Sequence, residues 1–441
     1  MLIGAAGFSA LGKAAEPALA GVFEVTRYGA AGDGKKLDTT SIQQAVDACG
    51  KAGGGIVYFG NGVYRSGTIH LRDGVKLHLS EGARLLGSTD LKDYPSNVPQ
   101  LRSYTDSYTD KSLIYAERAS GVGIEGDGII DGQGASFQGA YKVRPYLMRF
   151  VECRDVTVRD IHLHDSPMWV EHYLGCEGVR ITGVSVHSRV NKNNDGIDID
   201  SCSGVRISDC DIVSGDDAIV LKATADRPCR DVVVTNCVLS TLCNALKLGT
   251  ESNGGFENIA FNNCTVYDTR LAGVALEMVD GGTLSQVVVT GITMRNVKCP
   301  LFIRLGNRAR PIEPNGPRPG MGALRDVVIQ GIEASGGSLV GSSITGLPGH
   351  RAQNITLRDV SLSFQGGGTA QDADRVVPEN PECYPEHSMF GTLPAFGLYC
   401  RHLEGLQLDN VRCVTEKPDA RKPMIFDDVE DLVINGRVAK A

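Results

Sequence analysis

The chain has 441 residues, a formal net charge of −8 and 42% hydrophobic residues, which supplies a large core and no long run of one sign. No basic stripe interleaved with aromatics occurs, which argues against a nucleic-acid partner, and no internal stretch is apolar and long enough to cross a membrane. Gly is abundant, at 54 residues, and Trp169 is the single tryptophan, a balance that suits a turn-rich β protein over a helical one.

Residues 1–22 open small and apolar and reach Ala18-Leu19-Ala20 just before Gly21. That reads as the end of a secretory signal lacking its basic opening, or as a flexible tail, and export to a secreted or periplasmic location is expected. Residues 23–441 contain no linker-like break and read as one domain. Phe23 to Asp38 reads as a strand and Gly-rich turn. Thr39 to Gly50 places apolar residues at helical spacing and predicts a short N-terminal helix capping whatever follows.

From residue 119 onward the chain repeats itself. GVGIEGDGIIDG, DVTVRDIHLHDS, GVRISDCDIVS and DVVVTNCVLST each alternate apolar with polar residues, turn, and alternate again. Short strands at this repeat length, with no helix between them, predict a parallel β-solenoid whose sheet bonds run from coil to coil. The thirteen cysteines show no metal-site spacing; Cys202, Cys210, Cys237 and Cys264 recur at similar places in successive repeats, which predicts buried stacking rather than disulfides. Three irregular stretches interrupt the pattern, Ser96 to Glu117, Gly306 to Gly322 and Gly366 to Pro394, and loops of this length on a solenoid are expected to wall a functional site.

The chemistry concentrates in residues 193–222, NNDGIDIDSCSGVRISDCDIVSGDDAIVLK. Stacking this segment sets Asp195 one coil above Asp217, about 4.8 Å away along the sheet, with Asp216 beside them. Acids so crowded push their pKa values apart, as glycoside hydrolysis requires: one carboxyl stays protonated as acid while another is ionised as base. Asp198 and Asp200 read as an outward acid ladder offset by Lys222 and Arg304.

The Asn-x-Asp-Gly-x-Asp run (Asn193, Asp195, Gly196, Asp198) followed one coil later by Gly215-Asp216-Asp217 resembles glycoside hydrolase family 28, the polygalacturonase-like pectin hydrolases. The opening YGAAGDGKKLDTTSIQQAVDAC is similar to that of many pectin-degrading β-helices. The resemblance implies an all-β, right-handed parallel β-helix and an inverting mechanism without cofactor or metal. In it Asp216 is the general acid, and Asp195 and Asp217 hold and activate water. The same resemblance marks departures: Asn244 stands where the family carries His, and Ala275, Leu276 and Glu277 stand where it carries Arg-Ile-Lys.

Aligning successive strands places Ile197, Ile219, Leu246, Val274 and Leu301 inward and Lys247, Glu277 and Arg304 outward. The outward face makes Lys247, Glu277 and Arg304 expected substrate contacts, the resemblance adds Asn193 and Asn244, and Trp169 and His172, one turn before the catalytic coils, complete the set. The expected function is a monomeric inverting hydrolase of galacturonic-acid-containing plant polysaccharide or oligosaccharide, with loops that favour exo attack. The alternatives are a rhamnogalacturonan or other acidic-glycan hydrolase, a β-helix lyase that uses Lys247 or Arg304 as base, and a non-catalytic glycan-binding solenoid.

Overall fold

Left-handed turn residues recur once per coil at two places and set the architecture. Asp155, Gly178, Gly204, Asp231 and Asn258 are the second or third residue of one strand, and Asp160, Gly183, Asp209, Asn236 and Asn263 follow it, with φ between 50° and 71°. Only Gly, Asn and Asp adopt that region readily, so the residue choice in each repeat dictates where the chain turns. The computed structural model describes residues 21–439, residue 314 apart; the leader-like segment 1–20 lies outside the described residues.

Between these turns each coil lays down three short strands. Ile197–Asp200, Ser203–Ser208 and Asp211–Ser214 are followed one coil on by Ile219–Ala223, Cys229–Thr235 and Val238–Thr241. Pairing is parallel from coil to coil, with Ile197 opposite Ile219, Ile219 opposite Leu246, Leu246 opposite Val274 and Val274 opposite Leu301. All five face inward and are fully buried, forming one apolar stack along the axis. The result is a right-handed parallel β-helix. The cysteines are free and mostly buried, and the Cys176 amide donates to Cys202 Sγ at 3.2 Å in the next coil.

The ends are closed. A helix over Thr39–Lys51 buries Ile42, Ala45, Val46 and Cys49, which share one face at i, i+3, i+4 and i+7, against the first coil. At the other end Val433–Ile434 and Arg437–Val438 form the antiparallel pair of the sheet.

One irregular stretch is shorter than expected. Ser112–Glu117 is a strand paired in parallel with Tyr146–Val151. Residues preceding it fold over its outward face, where Leu101 packs on Tyr115, Val151 and Leu174. With both faces covered, the strand loses the polar alternation that would have marked it. The stretch after Gly366 covers the opposite end of the same outward sheet. There Val377, Phe390 and Leu393 pack on Ala272, Ala275, Phe302 and Tyr399. The open part of this sheet lies between the two covers, at the coils that carry the acids.

Candidate active site

Asp195 and Asp217 occupy equivalent positions in successive coils, just before Ile197 and Ile219, and the Gly196 amide donates to the Asp217 carbonyl at 2.9 Å. Asp216 stands beside them: carboxylate oxygens of Asp216 and Asp217 and the Cys243 sulfur lie within 4.8 Å of one another. Asp195 and Asp217 are buried, whereas Asp216 is half-buried and lines an open cleft with Asn191, Asn193, Cys243 and Arg270. The structure thus brings the three expected carboxylates together.

Their surroundings differ. Asp217 Oδ1 accepts from the Asn244 amide at 3.1 Å and from its Nδ2 at 2.8 Å, and Oδ2 accepts from Lys247 Nζ at 2.9 Å. Burial alone would raise this carboxyl, but Lys247, Lys222 and the hydrogen bonds from Lys247 and Asn244 outweigh it and hold Asp217 below its ordinary value. Asp216 has no such support: burial and the neighbouring Asp217 charge raise its pKa, against smaller opposing effects of Cys243, Lys247 and Lys222. Asp195 is raised well above its ordinary value by burial, then by Asp216 and Asp198, and its Oδ1 has no protein partner among the described residues. Asp216 raised and Asp217 lowered, side by side in one turn, give the protonated and ionised carboxyls that acid–base chemistry at a glycosidic bond uses.

A buried ion network underlies the trio. Lys222 Nζ lies 3.5 Å from Asp198 Oδ1, 3.9 Å from Asp195 Oδ2 and 3.3 Å from Glu251 Oε2. Arg308 bridges Glu251, at 3.7 Å, and Asp280. Asp200 accepts from the Thr224 amide at 2.9 Å and from its hydroxyl at 2.6 Å, and it lies 3.6 Å from His172 Nε2. The acid ladder is offset by Lys222 as expected, while Arg304 takes no part in it.

Asn193 lines the cleft, and its Oδ1 accepts from Arg144 at 3.0 Å. The other six expected substrate contacts are buried and engaged elsewhere. Asn244 spends its Nδ2 on Asp217 and its Oδ1 on the Ala272 amide at 3.0 Å, so it orients the Asp217 carboxylate and has neither group free for a ligand. Lys247 is 2% exposed, held between Asp217 and Glu277, the latter at 3.6 Å. Glu277 also accepts from Thr250 Oγ1 at 2.9 Å, and burial, opposed by Lys247, pushes its pKa up to about 7.

Arg304 donates to the Gly346 carbonyl at 2.9 Å and to the Glu379 carbonyl at 2.6 Å, fastening the loop that covers Ala275 and Phe302. Trp169 is packed among Tyr108, Tyr146 and His172 with Lys222 Nζ 4.8 Å from its ring centre, so it backs a lysine and offers no free face to a sugar. His172 is fully buried beneath the same cluster. Strand alignment identified the outward face correctly but carries no information on what lies over it.

Sequence reasoning missed Arg270 and placed Tyr384 only within the Gly366 to Pro394 stretch expected to wall a site. Arg270 precedes Leu271, whose amide donates to the Cys243 carbonyl, and Leu242 donates to Ser214, so Arg270 belongs to the turn of Asp216 two coils further on. Extending the strand alignment back into this turn would have found it. Tyr384, 56% exposed, holds its ring 5.9 Å from Lys247 Nζ and 5.6 Å from the Arg308 guanidinium. It comes from a distant loop, and no local pattern announces it.

A parallel β-helix with a split-pKa carboxylate cluster in an outward groove defines a carbohydrate-active enzyme of the glycoside hydrolase type. Residues 70–381 match the model for glycosyl hydrolases family 28, and the chain belongs to that family. A probable polygalacturonase of Vitis vinifera is 31% identical over 299 residues, covering 62% of this chain and 60% of that protein. An exo-poly-alpha-D-galacturonosidase of Dickeya chrysanthemi is 40% identical over 121 residues, 26% of this chain and 20% of that protein. The chain thus spans about three fifths of the first of these relatives and a fifth of the second. The crystal structure of an exopolygalacturonase from Thermotoga maritima superposes with a TM-score of 0.69 at 21% identity, covering 95% of this chain and 92% of that one, a likeness of fold.

Proposed function

We propose that the protein is an exported, monomeric hydrolase that removes galacturonic acid residues from the ends of pectic oligosaccharides with inversion at the anomeric carbon. The observation that carries the reading is the opposite tuning of Asp216 and Asp217 at one groove. Asp216, kept protonated and half-exposed, delivers its proton to the leaving glycosidic oxygen. Asp217, kept ionised by Lys247 and Asn244, draws a proton from the attacking water, and Asp195, stacked on it one coil away, helps to hold that water.

Exo attack is supported by the two covers on the outward sheet, one around Leu101 and one around Phe390, which leave room for a chain end rather than a running polymer. The exo-acting relatives named above agree with it. Tyr384 overhangs the acids and offers an aromatic face to the sugar. The lyase alternative is disfavoured at both candidate bases: Arg304 is buried and fastened to the Gly346 and Glu379 carbonyls, and Lys247 would have to be neutral. Burial would lower the Lys247 pKa, yet Asp217 and Glu277 hold it well above its ordinary value, so it stays an ammonium. Capped sheet ends support a monomer.

Chromatography after incubation with trigalacturonate tests the reading. Release of galacturonic acid and a saturated dimer is expected. An unsaturated, ultraviolet-absorbing product, or an intact trimer, would overturn it.

A further inference from the structure

The cations near the acids are already spoken for. Lys222 lies among Asp195, Asp198 and Glu251, Lys247 between Asp217 and Glu277, and Arg308 between Asp280 and Glu251. All three are largely buried, and Arg304 is fixed on backbone carbonyls. None is free to reach an anionic sugar in the groove. Ala275, at the position where the family resemblance expects a cation, is fully buried under Val377, Phe390 and Leu393. A uronate entering a groove floored by carboxylates is repelled unless another cation meets it.

The cleft wall contains two that pair with no described residue, Lys192 and Arg270, and only the arginine can grip a carboxylate with two parallel N–H donors. Arg270 is exposed, lines the same cleft as Asp216 and Asn193, and forms no hydrogen bond or ion pair with a described residue. Its position in the turn two coils from Asp216 puts its backbone about 10 Å along the axis from the acid, which suits a sugar next to the scissile bond. Arg189, on the same wall, has Nε bonded to the Ser214 carbonyl at 2.9 Å and Nη2 to Ser240 Oγ at 2.9 Å, so it stiffens the wall. Glu386 also lines the cleft without pairing to Arg270; its negative charge opposes an incoming uronate, so the unpaired guanidinium is needed to offset it.

We infer that Arg270 is the specificity-determining cation of this enzyme, binding the carboxylate of the uronate beside the scissile bond as a two-pronged guanidinium–carboxylate pair. The inference rests on the galacturonate-hydrolase reading above. It assigns substrate charge recognition to the cleft wall rather than to the sheet that carries the acids.

The test compares wild type, Arg270→Gln and Arg270→Lys on trigalacturonate and on its methyl ester, with circular dichroism and Tm confirming the fold of each. Arg270→Gln is expected to lower kcat/KM on the free acid by roughly 10²-fold, mainly through KM, and to leave the ester within a factor of about three; Arg270→Lys recovers part of the loss. Equal losses on both substrates, or no loss on either, would overturn the inference while the functional reading stands. A wild type that cleaves neither substrate overturns the functional reading, and the inference falls with it.

Discussion

Lys247 reaches back one coil to donate to Asp217 Oδ2 at 2.9 Å, and its other neighbour is Glu277 at 3.6 Å. The pair is nearly inaccessible to solvent, so its electrostatics are weakly screened. This lysine fixes the ionisation of the carboxylate assigned as base, with Asn244 completing the cradle.

Removing that lysine has a signed consequence. Lys247→Met lets burial raise the Asp217 pKa, so the acid limb of the kcat/KM profile moves to higher pH. The variant also leaves Asp217 and Glu277 without their cation, a loss of about 3–5 kcal/mol for breaking a buried pair. Lys247→Arg keeps the charge and is expected to hold the acid limb near its original place. A pH–rate series on all three proteins checks it; an unmoved limb in Lys247→Met contradicts the role.

Asp216 is the residue whose loss should cost rate and little else, because its carboxylate lines the cleft and supports no buried cation. Asp216→Asn is expected to lower kcat by roughly 10²–10⁴-fold with Tm unchanged within a few degrees. Activated substrates with a good leaving group need less protonation and should recover part of the loss.

Glu171 carries a pH dependence of stability unrelated to catalysis. It is fully buried, accepts a short hydrogen bond from the Tyr173 hydroxyl, and burial pushes its pKa up to about 8. Because the folded value lies above the unfolded one, its contribution is complete below about pH 4.5 and is lost as pH rises toward 8. Glu171→Gln, which cannot ionise, is expected to show a flatter Tm against pH across that window. Parallel curves for the two proteins would contradict it.

Ala275 tests the loop over the outward sheet. Ala275→Arg inserts a long cation beneath Phe390, Val377 and Leu393, where no carboxylate waits for it. The expected outcome is a lower Tm and faster proteolysis within residues 366–394, with no gain in activity on galacturonate. Higher activity without loop loosening would show that the groove extends over this coil.

Most of the fold was readable in the sequence because a solenoid writes its rules locally. Asp209, Asn236 and Asn263 mark one turn, and Ile219, Leu246 and Val274 mark the inward face. The clustering of the three aspartates was readable for the same reason, since register alone stacks Asp195 on Asp217. The substrate contacts were not. Lys247, Glu277 and Arg304 do face outward, but whether an outward residue meets solvent depends on chain that returns from elsewhere, such as the segment around Phe390 and Tyr384. Ser112–Glu117 escaped recognition as a strand because the residues before it cover the face that would otherwise be polar.

The central claim is that Asp216 acts as acid and Asp217 as base at one glycosidic bond, which is cleaved with inversion. Proton NMR of trigalacturonate during the first minutes of digestion reads it directly. With an α-linked substrate, the account predicts that the newly released reducing end appears first as the β-anomer and only then mutarotates, with no vinylic proton signal at any time. First appearance of the α-anomer, or a vinylic signal from an unsaturated product, would contradict it.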